Sequence, residues 1–155
     1  MIESNREIKK PSEKREIMPR FEASALRGYC VSVLTASGVE RSCAEAVADA
    51  LIDAELTGVS THGVSRLAVY MQRMDAGVMS RENNIRIVRE STSTLVVDAG
   101  NSLGAAAAKF AMERCIAKAK ETGCCFASVH SSNHFGTAAY YRNFNDHGRL
   151  LRLRR

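Results

Sequence analysis

No stretch of this 155-residue sequence approaches the roughly 20 consecutive apolar residues that a membrane-spanning helix requires. Nor do the first 20 residues contain an apolar core or a small-residue cleavage site. They are polar and charged, which argues against a secretory leader and favours a cytoplasmic location. None of the five cysteines forms a C-x-x-C pair, and an odd number without framework spacing does not describe a disulfide-stapled secreted domain. Reduced, mostly buried thiols are the expectation. Cys124 and Cys125 are adjacent in an apparent strand, so they point to opposite faces and are poorly placed to share an ion. Neither G-x-G-x-x-G nor G-x-x-x-x-G-K-[ST] occurs, and there is no internal repeat.

A broad basic face is also missing. The net charge is +5, but Arg149, Arg152, Arg154 and Arg155 supply four of those charges within the last seven residues. Without them the chain stands at +1, so a nucleic-acid partner is not expected.

What is present is an ordinary globular composition, 45% hydrophobic and 25% charged. Residues 1–18 alternate charge, have little to bury, and read as a mobile tail. Helical spacing predicts a first helix over Ala23–Ala36, closed by Ser37-Gly38. A second is expected over Ser42–Leu56, with Ser42 as N-cap and Glu45 completing a capping box. A third is expected from His62 to Ala76. The period then changes to two short strands, Ile85–Arg89 and Thr94–Val97. An Ala-rich helix follows over Leu103–Glu121, with Asn101 or Ser102 as its cap. Cys124–Val129 is a continuous apolar run of the kind covered on both faces of a sheet, and Thr137–Asn145 looks helical. The reading is α/β (α+β): a helical segment over 19–79 and an α/β segment over 80–147.

Two stretches carry chemistry. On a helical wheel of about 100° per residue that starts at His62, Arg73 falls at about 20°, Arg66 at about 40° and Tyr70 at about 80°. An imidazole with a pKa of about 6.5 can give and accept a proton near neutrality. A guanidinium one turn away can hold a carboxylate with two parallel hydrogen bonds, and a phenol can orient a substrate oxygen. The set suits a small 2-oxo or 2-hydroxy acid. Against this stands the plainer reading of a solvated helix face. The second stretch, His130-Ser131-Ser132-Asn133-His134-Phe135-Gly136, follows a strand, where ligands of α/β sheets gather. His134 could bind cofactor or substrate there, or act as a second acid/base. A metal site built from His62, His130 and His134 is the weaker alternative, because the spacing lacks the adjacent Glu of a metalloprotease helix.

At these residues the chain resembles the malate/L-lactate dehydrogenase family, which includes ureidoglycolate, sulfolactate and diketogulonate dehydrogenases. Ser60-Thr-His62-Gly-Val-Ser-Arg66-Leu-Ala-Val-Tyr70 is similar to its S-x-H-G-x-x-R-L-x-x-Y block. Asp98-Ala-Gly100-Asn-Ser-Leu-Gly104 is similar to its D-G-x-x-x-x-G loop, with Ala99 in place of Gly. Ser132-Asn133-His134-Phe135-Gly136 matches S-N-H-F-G. The resemblance covers roughly residues 20–147. It implies a helical N-terminal part on a non-Rossmann cofactor domain with a mixed sheet, NAD or NADP as cofactor, and a homodimer. It implies hydride transfer to or from a small 2-oxo or 2-hydroxy acid such as malate or lactate. His62 and His134 would be catalytic, Ser60, Arg66 and Tyr70 would bind substrate, and Asn133 and His134 would meet the cofactor. The ending 148–155 has no counterpart in the family, whose members are more than twice as long, so a truncated chain is expected. A non-catalytic dimerising fragment is the alternative function.

Overall fold

The computed structural model describes residues 20–143. The expected tail over 1–18, the basic ending over 148–155 and positions 144 and 145 of the expected helix over Thr137–Asn145 lie outside the described residues. The chain runs α1 (Ala23–Ala36), α2 (Arg41–Leu56), a single 3-10 turn (Ser60–His62), α3 (Ser65–Asp75), β1 (Arg86–Glu90), β2 (Thr94–Asp98), α4 (Gly104–Thr122), β3 (Phe126–His130) and α5 (Ala138–Asn143). Among the described residues no helix is long and apolar enough to cross a membrane.

Helices α1 and α2 form a hairpin. Gly38 takes a left-handed φ of +91°, and the Val39 amide closes the turn on Leu34 O. Cys30, Val31 and Leu34 of α1 join Val47 and Leu51 of α2 in the core, and Arg27 pairs with Asp49 at 2.5 Å across the hairpin. Helix α2 is buried nearly all round through Cys43, Ala44, Ala46, Val47, Ala48, Ala50 and Leu51. Its small side chains let neighbouring helices approach closely. The first turns of α4 (Gly104, Ala105, Ala106, Ala107) are equally small and buried. The same core takes in Leu67, Tyr70 and Met74 from α3, Leu103 at the N-cap of α4, and Ala105 and Ala106 from α4.

Three local expectations are corrected. Helix α2 begins one residue earlier than expected, and Glu40 rather than Ser42 is its N-cap. The Ser42 hydroxyl donates to Glu40 Oε1, while Glu45 pairs with Arg41, so no capping box forms. Neither Asn101 nor Ser102 caps α4, whose N-cap is Leu103. The Ser102 hydroxyl, 2% exposed, donates instead to Glu82 O and accepts from the Asn84 amide, tying the segment before β1 to the loop before α4. The thiols are not mostly buried either: Cys30 and Cys43 are, but Cys115 and Cys125 are half-buried and Cys124 is exposed.

The sheet order is β1-β2-β3, antiparallel between β1 and β2 and parallel between β2 and β3. The parallel pair is linked by α4, as parallel strands require a crossover. Central β2 buries Leu95 and Val97. Strand β3 is not covered on both faces as its apolar run suggested. It is an edge strand of alternating exposure, and Phe126 is 70% exposed. The parallel register sets Asp98 beside His130, so the loops leaving β2 and β3 emerge together. The amides of Ala99 and Asn101 bond to His130 O and Ser131 O and bind these loops to one another.

Candidate active site

The site is assembled where the loop after β3 meets α3 and the 3-10 turn. His62 does not start α3, as the wheel assumed. It closes the 3-10 turn over Ser60–His62, Gly63 follows in an extended conformation, and α3 begins at Ser65. The cause is Glu55. Its Oε1 accepts the Val64 amide at 2.8 Å, satisfying a donor at the mouth of α3 and favouring its positive end. A Cβ at residue 63 would fall 2.0 Å from that oxygen, so the Glu55 carboxylate occupies the space that only glycine leaves open. Sequence reasoning missed Glu55. The available signal was an acidic side chain in the last turn of α2, where the helix dipole disfavours it.

Although His62 lies off the helix, the two histidines meet. The His62 and His134 ring centroids are 5.1 Å apart, with planes tilted by 37°. The Tyr70 hydroxyl lies 2.7 Å from His134 Nδ1. Burial pushes the Tyr70 phenol up to about 12, with Arg66 opposing, so it stays protonated. Burial, and then the charges of Arg66 and His62, pull His134 below the ordinary imidazole value. A protonated phenol facing a neutral imidazole fixes the roles: Tyr70 donates, Nδ1 accepts, and the His134 proton sits on Nε2.

Arg66, Tyr70, Arg73, Ser132, Asn133 and His134 line a cleft of about 390 Å³, with no carboxylate among the lining residues. Arg66 donates from Nε to Thr61 O at 2.7 Å, which anchors the guanidinium plane and leaves its Nη edge without a partner among the described residues. Arg73 reaches Asn133 Oδ1 at 3.3 Å. Tyr70 does not stand on a solvated stripe: it is 3% exposed, with its hydroxyl turned to the cleft. His62 borders the cleft through its contact with His134, while Ser60, exposed at the start of the 3-10 turn, is not among the lining residues.

Asn133 is spent internally. Its Nδ2 donates at 3.0 Å to Asn101 O, Asn101 Oδ1 and Ser102 O. These bonds position the loop, and Asn133 still lines the cleft. The start of α4 completes the clamp. A Cβ on Gly104 would lie 2.2 Å from Asn133 O and 2.5 Å from His134 O. Gly104 is therefore a packing glycine that lets the His134 loop sit against α4. His130 stands apart from this group. Its Nδ1 bonds Ser131 Oγ and lies 3.8 Å from Asp98 Oδ1. The Gly100 amide, followed by the charges of Arg86 and His130, holds Asp98 below the usual carboxylate range. Among the described residues no three His, Cys, Asp or Glu side chains are placed to hold a metal ion.

A helical hairpin packed against α4, which covers a small mixed sheet, and paired imidazoles beside an arginine with an open Nη edge make up this α/β domain. The family model described as malate/L-lactate dehydrogenase matches residues 21–145, and the chain belongs to that family. It is 36% identical over 115 residues to malate/(S)-sulfolactate dehydrogenase of Methanothermus fervidus, covering 74% of this chain and 34% of that protein. It is 39% identical over 125 residues to L-sulfolactate dehydrogenase of Methanothermobacter thermautotrophicus, covering 81% and 36%. Malate dehydrogenase from Pyrococcus horikoshii superposes with a TM-score of 0.80 at 36% identity, over 83% of this chain and 37% of that one. The chain thus spans little more than a third of the length of these relatives. The expected family and the α/β fold are borne out.

Proposed function

We propose that this chain carries the substrate-binding, proton-transferring part of an NAD(P)-dependent oxidoreductase that interconverts a small 2-hydroxy acid, such as malate or lactate, with its 2-oxo acid. The observation that supports it most is the contact of His62, His134 and Tyr70 beside the open edge of Arg66. The Arg66 Nη pair holds the substrate carboxylate in a plane already set by the Nε anchor. The substrate oxygen then lies against the imidazoles. A neutral imidazole accepts the hydroxyl proton during oxidation and returns it during reduction. His62 is assigned that exchange. His134, with Nδ1 held by Tyr70, offers Nε2–H to the same oxygen, and Ser60 supports the substrate end of the turn.

The nicotinamide, when bound, supplies the hydride acceptor or donor at the substrate carbon. The described residues fit only that reactive end of a dinucleotide. The exposed His134 and Ser132 rim the cleft, but no Gly-rich phosphate loop accompanies them. Cytoplasmic location and a homodimer belong to this reading. The test has two parts. Nicotinamide absorbance is followed with oxaloacetate or pyruvate, and the His62 and His134 imidazole resonances are followed by NMR during titration with the same acids. Saturable shifts of both imidazoles, lost in Arg66→Gln, are expected. Absence of any saturable shift in the parent would overturn the assignment.

A second reading, a non-catalytic association fragment, is favoured by one observation. An apolar groove of about 570 Å³ opens between α4, β3 and α5. Self-association of the chain with neither turnover nor saturable acid binding would favour it over the enzyme.

A further inference from the structure

Asn101 does not cap α4, and its polar atoms are engaged elsewhere. The backbone amide donates to Ser131 O at 2.8 Å, and the carbonyl accepts from the Ser80 amide at 2.9 Å. The side-chain Nδ2 donates to Val78 O at 3.1 Å. The carbonyl and Oδ1 both accept from Asn133 Nδ2 at 3.0 Å. One residue therefore bonds both the segment that follows α3 and the loop that follows β3. The cleft residues come from these same two sides: Arg66, Tyr70 and Arg73 from α3, and Asn133 and His134 from the loop. The backbone at Asn101 is left-handed, with a φ of +58°, a region that asparagine tolerates better than most side chains. Glycine would fit the same bend but could make none of the side-chain bonds.

The amides run in one direction. Asn133 Nδ2 faces only acceptors, Asn101 O, Asn101 Oδ1 and Ser102 O, and shares its two protons among them. Asn133 Oδ1 is thereby turned the other way, where Arg73 Nη2 donates to it at 3.3 Å. A reversed Asn133 amide would set an NH2 group against the guanidinium and take the donor away from three oxygens. We propose, on the acid-binding reading of the cleft, that Asn101 is a positioning residue. By fixing the Asn133 amide and holding Val78, it sets where the His134 imidazole stands relative to Arg66 and Arg73. Asn101 is not among the lining residues, so it acts through Asn133 and the end of α3 rather than on the substrate.

The experiment uses the full chain and follows three signals by NMR: the Asn133 side-chain amide, the His134 ring nitrogens and the affinity for oxaloacetate. Asn101→Gly keeps the left-handed bend and removes only the side-chain bonds. It should shift the Asn133 amide and give a mixture of His134 tautomers. Oxaloacetate binding should weaken by about tenfold, the factor that a lost hydrogen bond or two is worth. Asn101→Asp keeps the acceptor for Asn133 Nδ2 and gives up only the donor to Val78, so the Asn133 amide and the His134 tautomer should return to those of the parent. A merely structural role predicts another pattern in Asn101→Gly, a lowered thermal midpoint with all three signals unchanged, and that result would overturn the proposal. So would an equal disturbance of His134 by both substitutions, because Asn133 would then not be the route. If oxaloacetate does not bind the parent, the acid-binding reading fails. The Asn133 and His134 signals need no ligand and still decide whether Asn101 positions the loop.

Discussion

The Tyr70 hydroxyl and His134 Nδ1 are 2.7 Å apart although the two residues are 64 positions apart in the chain. This bond joins α3, which carries Arg66, to the loop after β3, and it selects the tautomer that the candidate chemistry needs.

Tyr70→Phe tests the bond directly. The ring volume is kept, so the core around residue 70 stays filled. One hydrogen bond is lost, which costs about 1 kcal/mol of stability. The sharper readout is the His134 ring by ¹⁵N NMR. A single Nε2–H tautomer is expected in the parent and a mixture in the variant. An unchanged tautomer would show that Tyr70 does not set it.

The depressed His134 value carries a pH signature. Because its folded value lies below the ordinary imidazole range, the unfolded chain binds the extra proton more readily. The stability it contributes is therefore complete above the ordinary value of about 6.5 and is lost as pH falls through it toward the lowered folded value. Urea unfolding at neutral pH and near pH 5 should show the decline. Arg66→Gln removes one of the named causes and should raise the His134 value in an NMR titration.

Much of the fold was legible because it is periodic. Leu26, Cys30, Val33 and Leu34 mark α1 in any context, and the bounds of α1, α2 and α4 are within a residue of those read from spacing. The misplacement of His62 has a different origin. The 3-10 turn is held by Glu55 reaching Val64 across nine positions and a helix end, a contact that no short window contains. Strand β3 was misjudged because an apolar run looks alike in the centre of a sheet and at its edge. His62, Tyr70 and His134 still meet despite these errors, because each motif is contiguous. Their convergence was not readable, since it depends on Gly104 and Asn133 docking one loop against another.

Glu55→Ala should loosen the His62 turn. The lost cap on Val64 costs about 1 kcal/mol, in the range found for N-terminal helix caps. Glu55→Gln keeps an acceptor oxygen and should recover most of this. Thermal unfolding measures both, and His62 resonances should broaden or shift in the alanine variant alone. Equal effects of the two substitutions would assign the contribution to charge at the helix end rather than to the hydrogen bond.

Gly104→Ala is the most damaging single-methyl change expected at the site. The added carbon would meet the carbonyl oxygens of Asn133 and His134 at 2.2 and 2.5 Å, and these are backbone atoms without rotamers to yield. Two responses are available: the loop lifts from α4, or the first turn of α4 moves. The second is opposed by Ala105, Ala106 and Ala107, all buried against the core. The loop therefore gives way, and with it the three bonds that Asn133 Nδ2 makes to Asn101 and Ser102. Overpacking of this kind costs about 1–3 kcal/mol, and the loss should appear as a lowered thermal midpoint. Because the displaced segment carries His134, its bond to Tyr70 and its approach to His62 should weaken together, returning the His134 titration toward the ordinary imidazole value. A variant that keeps the parent's midpoint and His134 titration would show that the loop is not clamped by α4.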